Sequence, residues 1–269
     1  MKLSVIVRNK NDDNIFRCVS SFSNVPRDMY ELIVIDSSDS PLVFPDFDIS
    51  LRYEYTNISR SEALIIGLKK AIYENILIID SDQVITTNLI EKLSEIQSDM
   101  CIINERSLNR NFIGTIADLQ RDFLYKHSKQ YWSDKLPVIP RLYRKSLISK
   151  AIERIGMDQY RKITQHEDSI LYSEVLKISK DLSFCDMPIL NIDPRFKDFA
   201  VKSFKYGMLQ ARALSDENID MDRKKLLRSI DRNRVIYSKS QGLNKGIIFD
   251  VLKAAFYIPG IIFSKVSRL

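Results

Sequence analysis

The sequence predicts an α/β protein in which helices flank a mostly parallel sheet. In the first hundred residues, short apolar runs rich in β-branched residues alternate with helix-like stretches, which is typical of βαβ units. Two of the runs, ELIVID and NILIID, are almost wholly apolar, as parallel strands buried on both faces must be. Each ends in an aspartate. Ligands of open α/β sheets bind beyond the carboxyl ends of the strands, so this edge is where we expect a site.

The individual elements follow from the same patterns. Strands are predicted at 3–7, 31–35, 51–55, 76–79 and 100–103, and helices at 12–24 and 60–73. After residue 104 a long polar and aromatic stretch leads to LPVIPRLYRKSLI at 136–148, helical patterning at 149–180 and an apolar run at 183–192 that adds a strand near the cleft. We expect an α/β domain at 1–205 and a helical, basic and amphipathic extension at 206–269.

Composition narrows the class of protein. With 45% hydrophobic and 28% charged residues, the chain is expected to fold around a sizeable core. Its three cysteines, Cys18, Cys101 and Cys185, are widely spaced and odd in number, which matches neither a disulfide framework nor a thiolate metal site. A strand-like run begins at residue 3 with no secretory pattern before it, so a cytoplasmic location is expected.

The net charge of +6 is concentrated in the tail. Residues 223–269 contain 11 lysines and arginines against two acids, whereas the rest of the chain contains 30 basic and 33 acidic residues. Such a tail suits nucleic acid or an anionic membrane surface. It lacks an aromatic-basic recognition module, so no nucleic-acid partner is expected.

Three short polar segments follow predicted strands, at 8–10, 36–38 and 80–82, and should meet in one cleft. In the last of them, Asp80 and Asp82 are separated by one residue, so their carboxylates can converge on Mg²⁺ or Mn²⁺, which prefer oxygen ligands. A bound metal would act as a Lewis acid on a departing diphosphate. The alternative is that both aspartates cap a helix starting near Thr86 or Thr87.

Four segments in order resemble glycosyltransferase family 2, whose members have the GT-A fold. They are SVIVRNKND, ELIVIDSSDS, ISRSEALIIGLKKAIYENILIIDSD and QHEDSILYSEV, and together they cover about residues 3–210. The ordered set is far more specific than any one segment. The resemblance implies a Rossmann-like domain that binds a nucleotide-sugar.

By that resemblance, the donor side of the cleft is built from the first three segments. Arg8 and Asn9 would border the nucleoside and Asp36 would hydrogen-bond the base. Arg60 would lie near ribose or phosphate. Asp80, with Ser81, would approach the ribose or metal, and Asp82 would bind the metal directly. The alternatives are that Asp36 is only a turn residue and that Arg60 is a solvated helix start.

The fourth segment supplies the acids expected to act on the acceptor. Glu167 and Asp168 precede an apolar helical face, so both belong to a first helical turn, where carboxylates also stabilise the helix end. In the family, one carboxylate of this motif is the general base, and Asp168 matches it best. His166 could orient an acid or bind phosphate. His127 is the only other histidine, which excludes a His-rich metal site.

Two further expectations concern the acceptor side. Many family members have a late histidine as a further metal ligand, whereas this chain has NIDPRF, in which Asp193 could substitute. Trp132, Arg141 and Tyr143 could stack on or hydrogen-bond a sugar ring, although the aromatic residues could equally be core.

The tail indicates where the acceptor is met. Its longest uncharged run, Ala254–Ser264, is 11 residues and contains Pro259-Gly260, so it is too short and too broken to span a bilayer. Ile248, Leu252 and Phe256 form one apolar face flanked by lysines, which suits a helix lying in a membrane interface. The alternative is packing on the protein itself or on a second subunit; the oligomeric state is not predicted.

Together these features predict a metal-dependent, inverting hexosyltransferase at the inner face of the cell membrane. Its donor would be a GDP- or UDP-sugar, its cofactor Mn²⁺ or Mg²⁺, and its acceptor a polyprenyl-linked saccharide. Two alternatives remain: a dolichyl- or polyprenyl-phosphate hexose synthase, and a non-catalytic nucleotide-binding membrane scaffold.

Overall fold

The computed structural model describes residues 1–130, 138–163, 167–215 and 244–266. The chain groups into two compact units. The first comprises Met1–Glu105 and Ile139–Ile192, and the second comprises Arg106–Val138 and Asp193–Leu269. The domain boundary predicted at residue 205 stays a prediction.

The first unit contains a mixed sheet of eight strands in the order β3-β2-β1-β4-β7-β6-β8-β5. The strands are β1 (Leu3–Asn9), β2 (Tyr30–Asp36), β3 (Leu51–Tyr55), β4 (Asn75–Asp80), β5 (Gln83–Val84), β6 (Met100–Ser107), β7 (Leu142–Arg144) and β8 (Leu182–Asn191). Strands β3, β2, β1 and β4 are parallel, and β7 runs antiparallel between β4 and β6. The predicted α/β class and its strands are confirmed.

Helices flank this sheet. They are α1 (Ile15–Ser20), α2 (Arg60–Lys70), α3 (Thr87–Ser94), α5 (Lys145–Ile155), α6 (Met157–Arg161) and α7 (Glu167–Ile178). Strands β1 and β2 are buried along their whole length, because helices cover both faces of the parallel half. The core therefore fixes these strands and leaves their carboxyl ends to carry polar residues.

The register brings the polar segments together. Asn9 pairs directly with Asp36 across β1 and β2, and Arg8 pairs with Asp80 across β1 and β4. The predicted common edge is therefore confirmed for these three segments.

Several local predictions need correction. The helix predicted at 12–24 begins at Ile15 and continues from Ser21 to Asn24 as a 3₁₀ turn. Asp80 and Asp82 do not cap the next helix: β5 intervenes, and α3 begins at Thr87 with Thr86 at its N-cap. The carboxylates after β4 are thus not explained by helix capping.

The second unit is helical and consists, among the described residues, of α4 (Phe112–Gln130), α8 (Phe196–Ser215) and α9 (Asn244–Val266). The break expected at Pro259-Gly260 was wrong, since α9 is continuous through it. A Cβ on Gly260 would lie 2.2 Å from the Phe204 carbonyl oxygen, and one on Gly207 2.0 Å from that of Tyr257. The two glycines let α8 and α9 approach closely, and this packing holds α9 helical despite the proline.

One face of α9 stays exposed. Phe249, Phe256 and Phe263 make aromatic contacts with α8. The exposed face of α9 carries large apolar residues at helical spacing: Ile248, Val251, Ile258, Ile262 and Val266. Within the described residues, no helix is both long enough and apolar enough to cross a membrane.

Candidate functional site

The first polar group at the sheet edge is the Asp36 cluster, which comprises Asp36, Asn9, Ser38 and Tyr53. Asp36 is fully buried at the end of β2. Its Oδ1 accepts hydrogen bonds from Asn9 Nδ2 (3.0 Å) and from the amide and hydroxyl of Ser38 (3.1 and 2.6 Å). Its Oδ2 accepts one from the Tyr53 hydroxyl (2.8 Å). Four donors therefore satisfy one carboxylate.

This geometry matches the turn alternative for Asp36, because a bond from the amide two residues on defines an Asx turn. By accepting these bonds, Asp36 orients Asn9, the last residue of β1, and Ser38 in the loop after β2. Asn9 is also buried, and its side-chain carbonyl oxygen has no partner. A buried acceptor without a donor is costly, so Asn9 is the group in this cluster that a ligand donor would satisfy.

The second group is the Asp80 cluster: Asp80, Arg8, Arg60, Arg141, Glu105, Glu167 and Asp168. Arg60 and Arg141 donate to opposite oxygens of Asp80, Arg141 at 3.1 Å, and Arg8 lies 3.6 Å from it. Three guanidinium groups thus surround a single carboxylate. With four acids against three arginines, the cluster carries a formal charge of −1.

The acids of α7 join this cluster through the same arginines. Arg8 donates to both oxygens of Asp168, at 3.1 and 3.3 Å. Arg60 Nε lies 2.7 Å from Glu167. The end of β4 and the start of α7, nearly ninety residues apart in sequence, are therefore joined into one charged site.

Local structure explains where Arg60 stands. Ser59 caps α2 by accepting a hydrogen bond from the Glu62 amide at 3.1 Å, the first half of a capping box. Arg60 is consequently the first residue of the helix, and its side chain reaches the acids although it is 43% exposed. The alternative of a merely solvated helix start does not hold, because Arg60 pairs with three carboxylates.

Charge and burial set the protonation states of the acids. Burial raises the pKa of Asp80, but Arg60, Arg141 and Arg8 lower it by more, so it lies far below its usual value. Burial also raises the pKa of Asp168, and Arg8 and Arg60 reverse the effect, which leaves it lowered. The pKa of Glu167 is raised, by burial and then by the charge of Asp168. The pKa values of the two neighbouring acids are therefore shifted in opposite directions, and Asp168 is held in its ionised form.

A closed ring of hydrogen bonds links the backbone amide of Asp80 to its own carboxylate. Its amide donates to Gln83 Oε1 (2.9 Å), Gln83 donates to Asn191 (3.0 Å), and Asn191 donates to Glu105 (3.3 Å). Glu105 in turn accepts from Arg141 Nε at 2.8 Å, and Arg141 returns to Asp80. Gln83, Glu105 and Asn191 were not among the site residues predicted from the sequence. Glu105 offered a signal, since it comes soon after the apolar run of β6, as Asp80 comes directly after the apolar run of β4.

The donor atoms available for a metal are of the right type. Asp80 and Asp82 supply carboxylate oxygens one residue apart, and Mg²⁺ or Mn²⁺ takes one or two such ligands together with phosphate and water oxygens. In the part of the chain that the structure describes, no three His, Cys, Asp or Glu side chains are grouped to hold a metal. Both oxygens of Asp80 are bound by arginines, so a cation must compete for them.

The remaining predicted residues differ in placement. Ser81 is nearly buried beside Asp80, and Tyr143 is buried in β7, where burial raises the pKa of its hydroxyl well above the usual value. Tyr143 is thus placed as a core residue. Trp132 and His166 lie outside the described residues.

Asp193 belongs to the second unit, where Arg121 donates to both its oxygens (2.7 and 2.9 Å) and Ser107 donates to one (2.5 Å). Its role as a metal ligand stays a prediction, and a cation there would have to displace Arg121.

Comparison with solved structures identifies the fold. No protein-family model and no curated protein matches the sequence. Residues 1–349 of TarS from S. aureus, in complex with UDP-GlcNAc, align over 100% of this chain and 92% of that one, at 14% identity and a TM-score of 0.52. The mannosyltransferase PcManGT from Pyrobaculum calidifontis, in complex with GDP-Man and Mn²⁺, aligns over 99% and 79%, at 15% identity and a TM-score of 0.51.

These likenesses establish that the chain has the GT-A fold of glycosyltransferases. At such identities they establish the fold alone. The chemistry of this chain has to be argued from its own residues.

Proposed function

We propose that this protein is a glycosyltransferase that moves a hexose from a nucleoside-diphosphate sugar to a lipid-linked acceptor, with inversion at the anomeric carbon. One observation carries the proposal: Arg8 and Arg60 join the carboxylate after β4 to the acid pair that begins α7. A donor-binding group and a candidate base thereby share one charged site at the ligand-binding edge of the sheet.

The donor would lie along the carboxyl ends of β1, β2 and β4. Asn9 would face the nucleoside, with Asp36 holding it in place, and the arginines of the Asp80 cluster would face the diphosphate. Guanidinium groups suit phosphate oxygens, because their donors match them in pairs. The structures with UDP-GlcNAc and with GDP-Man leave both nucleotides as candidates for this chain.

A divalent cation held by Asp80 and Asp82 would supply Lewis-acid neutralisation of the leaving diphosphate. The mannosyltransferase neighbour was solved with Mn²⁺, which supports manganese or magnesium as the cofactor.

In the transfer itself, the acceptor oxygen attacks the anomeric carbon while the bond from that carbon to the β-phosphate oxygen breaks. A hydroxyl acceptor must lose its proton, and Asp168 is the base proposed to take it. Arg8, bound to both oxygens of Asp168, fixes the direction of the carboxylate. A single displacement of this kind inverts the configuration.

One observation favours the alternative acceptor, a polyprenyl phosphate. Two arginines lower the pKa of Asp168, so it is a weaker base than an ordinary aspartate. A phosphate acceptor is already ionised and needs no base. Replacement of Asp168 distinguishes the two acceptors, because only transfer to a hydroxyl needs the base.

The second unit is proposed to meet the membrane that carries the acceptor. The exposed apolar row of α9 lies along a helix with an exposed Lys253, and α8 exposes Lys197, Lys202 and Lys205. Apolar residues beside lysines suit an anionic interface. Flotation with vesicles containing anionic lipid should recover the protein, and neutral vesicles or Ile258→Asp with Ile262→Asp should not.

The proposed donor is tested by thermal unfolding with UDP- and GDP-sugars in the presence of Mn²⁺. A ligand at about 100 times its Kd adds about 2.7 kcal/mol of stability, which raises the Tm of a protein of this size by roughly 5–10 °C. One nucleotide series should give such a shift. If a shift occurs but no sugar transfers to a membrane lipid extract, the non-catalytic scaffold replaces the enzyme.

A further inference from the structure

Arg60 binds an oxygen of Asp80, the carboxylate proposed to hold a divalent cation. Arg60 donates to Asp80 Oδ1, and Arg8 lies 3.6 Å from the same atom. A metal ion at this oxygen would add a third positive charge beside these two guanidinium groups, and their repulsion would oppose its binding. The carboxylate that a metal needs is therefore closed by this protein's own side chains.

Among the three arginines of the Asp80 cluster, Arg60 is the one placed to move. The side chains of Arg8 and Arg141 are 3% and 18% exposed, whereas that of Arg60 is 43% exposed. Arg60 also stands at the first position of α2, so no preceding helical turn restricts the rotamers of its side chain.

The charges of the Asp80 cluster favour the replacement of Arg60 by a divalent cation. With Arg60 in place, three guanidiniums face four carboxylates. If Arg60 left and a divalent cation entered, the formal charge of the cluster would change from −1 to 0, and Asp82, the second proposed ligand, would add one negative charge. Arg60 would then need an anion of its own, and a diphosphate supplies one.

We infer that Arg60 guards Asp80, so that a divalent cation binds well only after a nucleoside diphosphate has drawn Arg60 away. This inference rests on the proposed function, and it adds an order of binding: nucleotide first or together with metal, not metal first. By linkage, the nucleotide must raise the affinity for metal and the metal must raise the affinity for nucleotide by the same factor.

The test is Mn²⁺ binding to the full-length protein, measured by the electron paramagnetic resonance signal of free Mn²⁺, with no nucleotide and then with UDP or GDP. Wild-type protein should bind Mn²⁺ weakly alone and at least about tenfold more tightly with one nucleotide. Arg60→Gln should bind Mn²⁺ alone at least about tenfold more tightly than wild type, because the competing cation is gone.

Arg161→Gln is the matched control. Arg161 is a similarly exposed arginine at the end of α6 that pairs with Glu62 and Asp158 and not with Asp80. It should bind Mn²⁺ as wild type does. Circular dichroism and the urea midpoint of each variant establish that it is folded.

Two results would overturn the inference. One is Mn²⁺ binding to nucleotide-free wild type as tight as to Arg60→Gln. The other is absence of Mn²⁺ binding from all variants with either nucleotide. Titration of UDP and GDP without metal separates these from failure of the proposed function, since a nucleotide that still binds leaves the donor assignment standing.

Discussion

The Asp36 cluster and the Asp80 cluster lie at the carboxyl ends of β2 and β4, the two strands that flank β1, yet they differ in the kind of donor that surrounds the carboxylate. Asp36 is a buried carboxylate satisfied by four neutral donors, two of them from Ser38 in the loop that follows β2. Asp80 is surrounded by three guanidinium groups that also serve other acids. The Asp36 cluster fixes the conformation of the loop after β2. In the Asp80 cluster, a charged ligand can replace one of the ion-pair partners.

The largest effect is expected from replacing Asp168, the proposed base in the Asp80 cluster. Asp168→Asn should lower turnover by about 10²- to 10⁴-fold with a saccharide acceptor, because the proton acceptor is lost. Nucleotide binding should be nearly unchanged. Steady-state kinetics with calorimetry of the nucleotide measure both.

Full turnover of Asp168→Asn would remove the general-base role and select the phosphate acceptor. Glu174→Gln on the same helix is the control, because Glu174 pairs with Arg154 and Lys177 away from the cluster. It should retain activity.

Replacing the central carboxylate should affect donor binding as well. Asp80→Asn leaves three arginines around a neutral group, and we expect kcat/KM to fall by about 10²- to 10³-fold, as on loss of one electrostatic stabiliser. The decrease should include a weaker Kd for the donor with Mn²⁺. An unchanged donor Kd would place the diphosphate elsewhere.

Substitutions in the Asp36 cluster should lower the free energy of unfolding more than they lower catalytic activity. Asp36→Ala leaves several buried donors without an acceptor, at a cost of about 1–3 kcal/mol each before relaxation. Urea unfolding should show a lower midpoint, while Tyr53→Phe, which removes one donor, should cost less. A variant as stable as wild type would contradict the structural role of this carboxylate.

Lowering the pH should reduce folding stability through the ion pairs of Asp168, and this effect should be smaller than those of the substitutions. Since the folded pKa of Asp168 is lowered, its ion pairs stabilise the protein fully above about pH 4, its ordinary unfolded value. That stability is lost as pH falls through the lower folded value. Glu167 opposes this, because its raised pKa favours the folded state once it is protonated.

Urea midpoints measured from pH 6 to pH 3 test this expectation. Wild type should lose stability more steeply below about pH 4 than Asp168→Asn does. Parallel curves for the two proteins would show that Asp168 contributes no pH-dependent stability.

The sequence predicted the parallel half of the fold because its strands are buried on both faces and carry a strong apolar signal. It did not predict β5, which is two residues long and is defined by a partner distant in sequence. It also missed α4, since the polar and aromatic stretch there gives a weak apolar period.

The site followed the same rule. Arg8, Asp36 and Asp80 end buried strands, so their common edge could be predicted from topology. That Asp36 would be closed by Tyr53, and that Arg141 would be held by Glu105, depends on side-chain contacts across strands. The continuous α9 was missed for a related reason, because the glycine contact that supports Pro259 lies on another helix.

The most direct test of the account is calorimetric titration of UDP- and GDP-hexoses, with Mn²⁺, into wild-type protein and Asp80→Asn. One nucleotide series should bind wild type in the micromolar range, with a binding free energy of about −8 kcal/mol, and should bind Asp80→Asn at least about tenfold more weakly. Binding of neither series, or equal binding to both proteins, would contradict the assignment of the Asp80 cluster to a nucleotide-sugar.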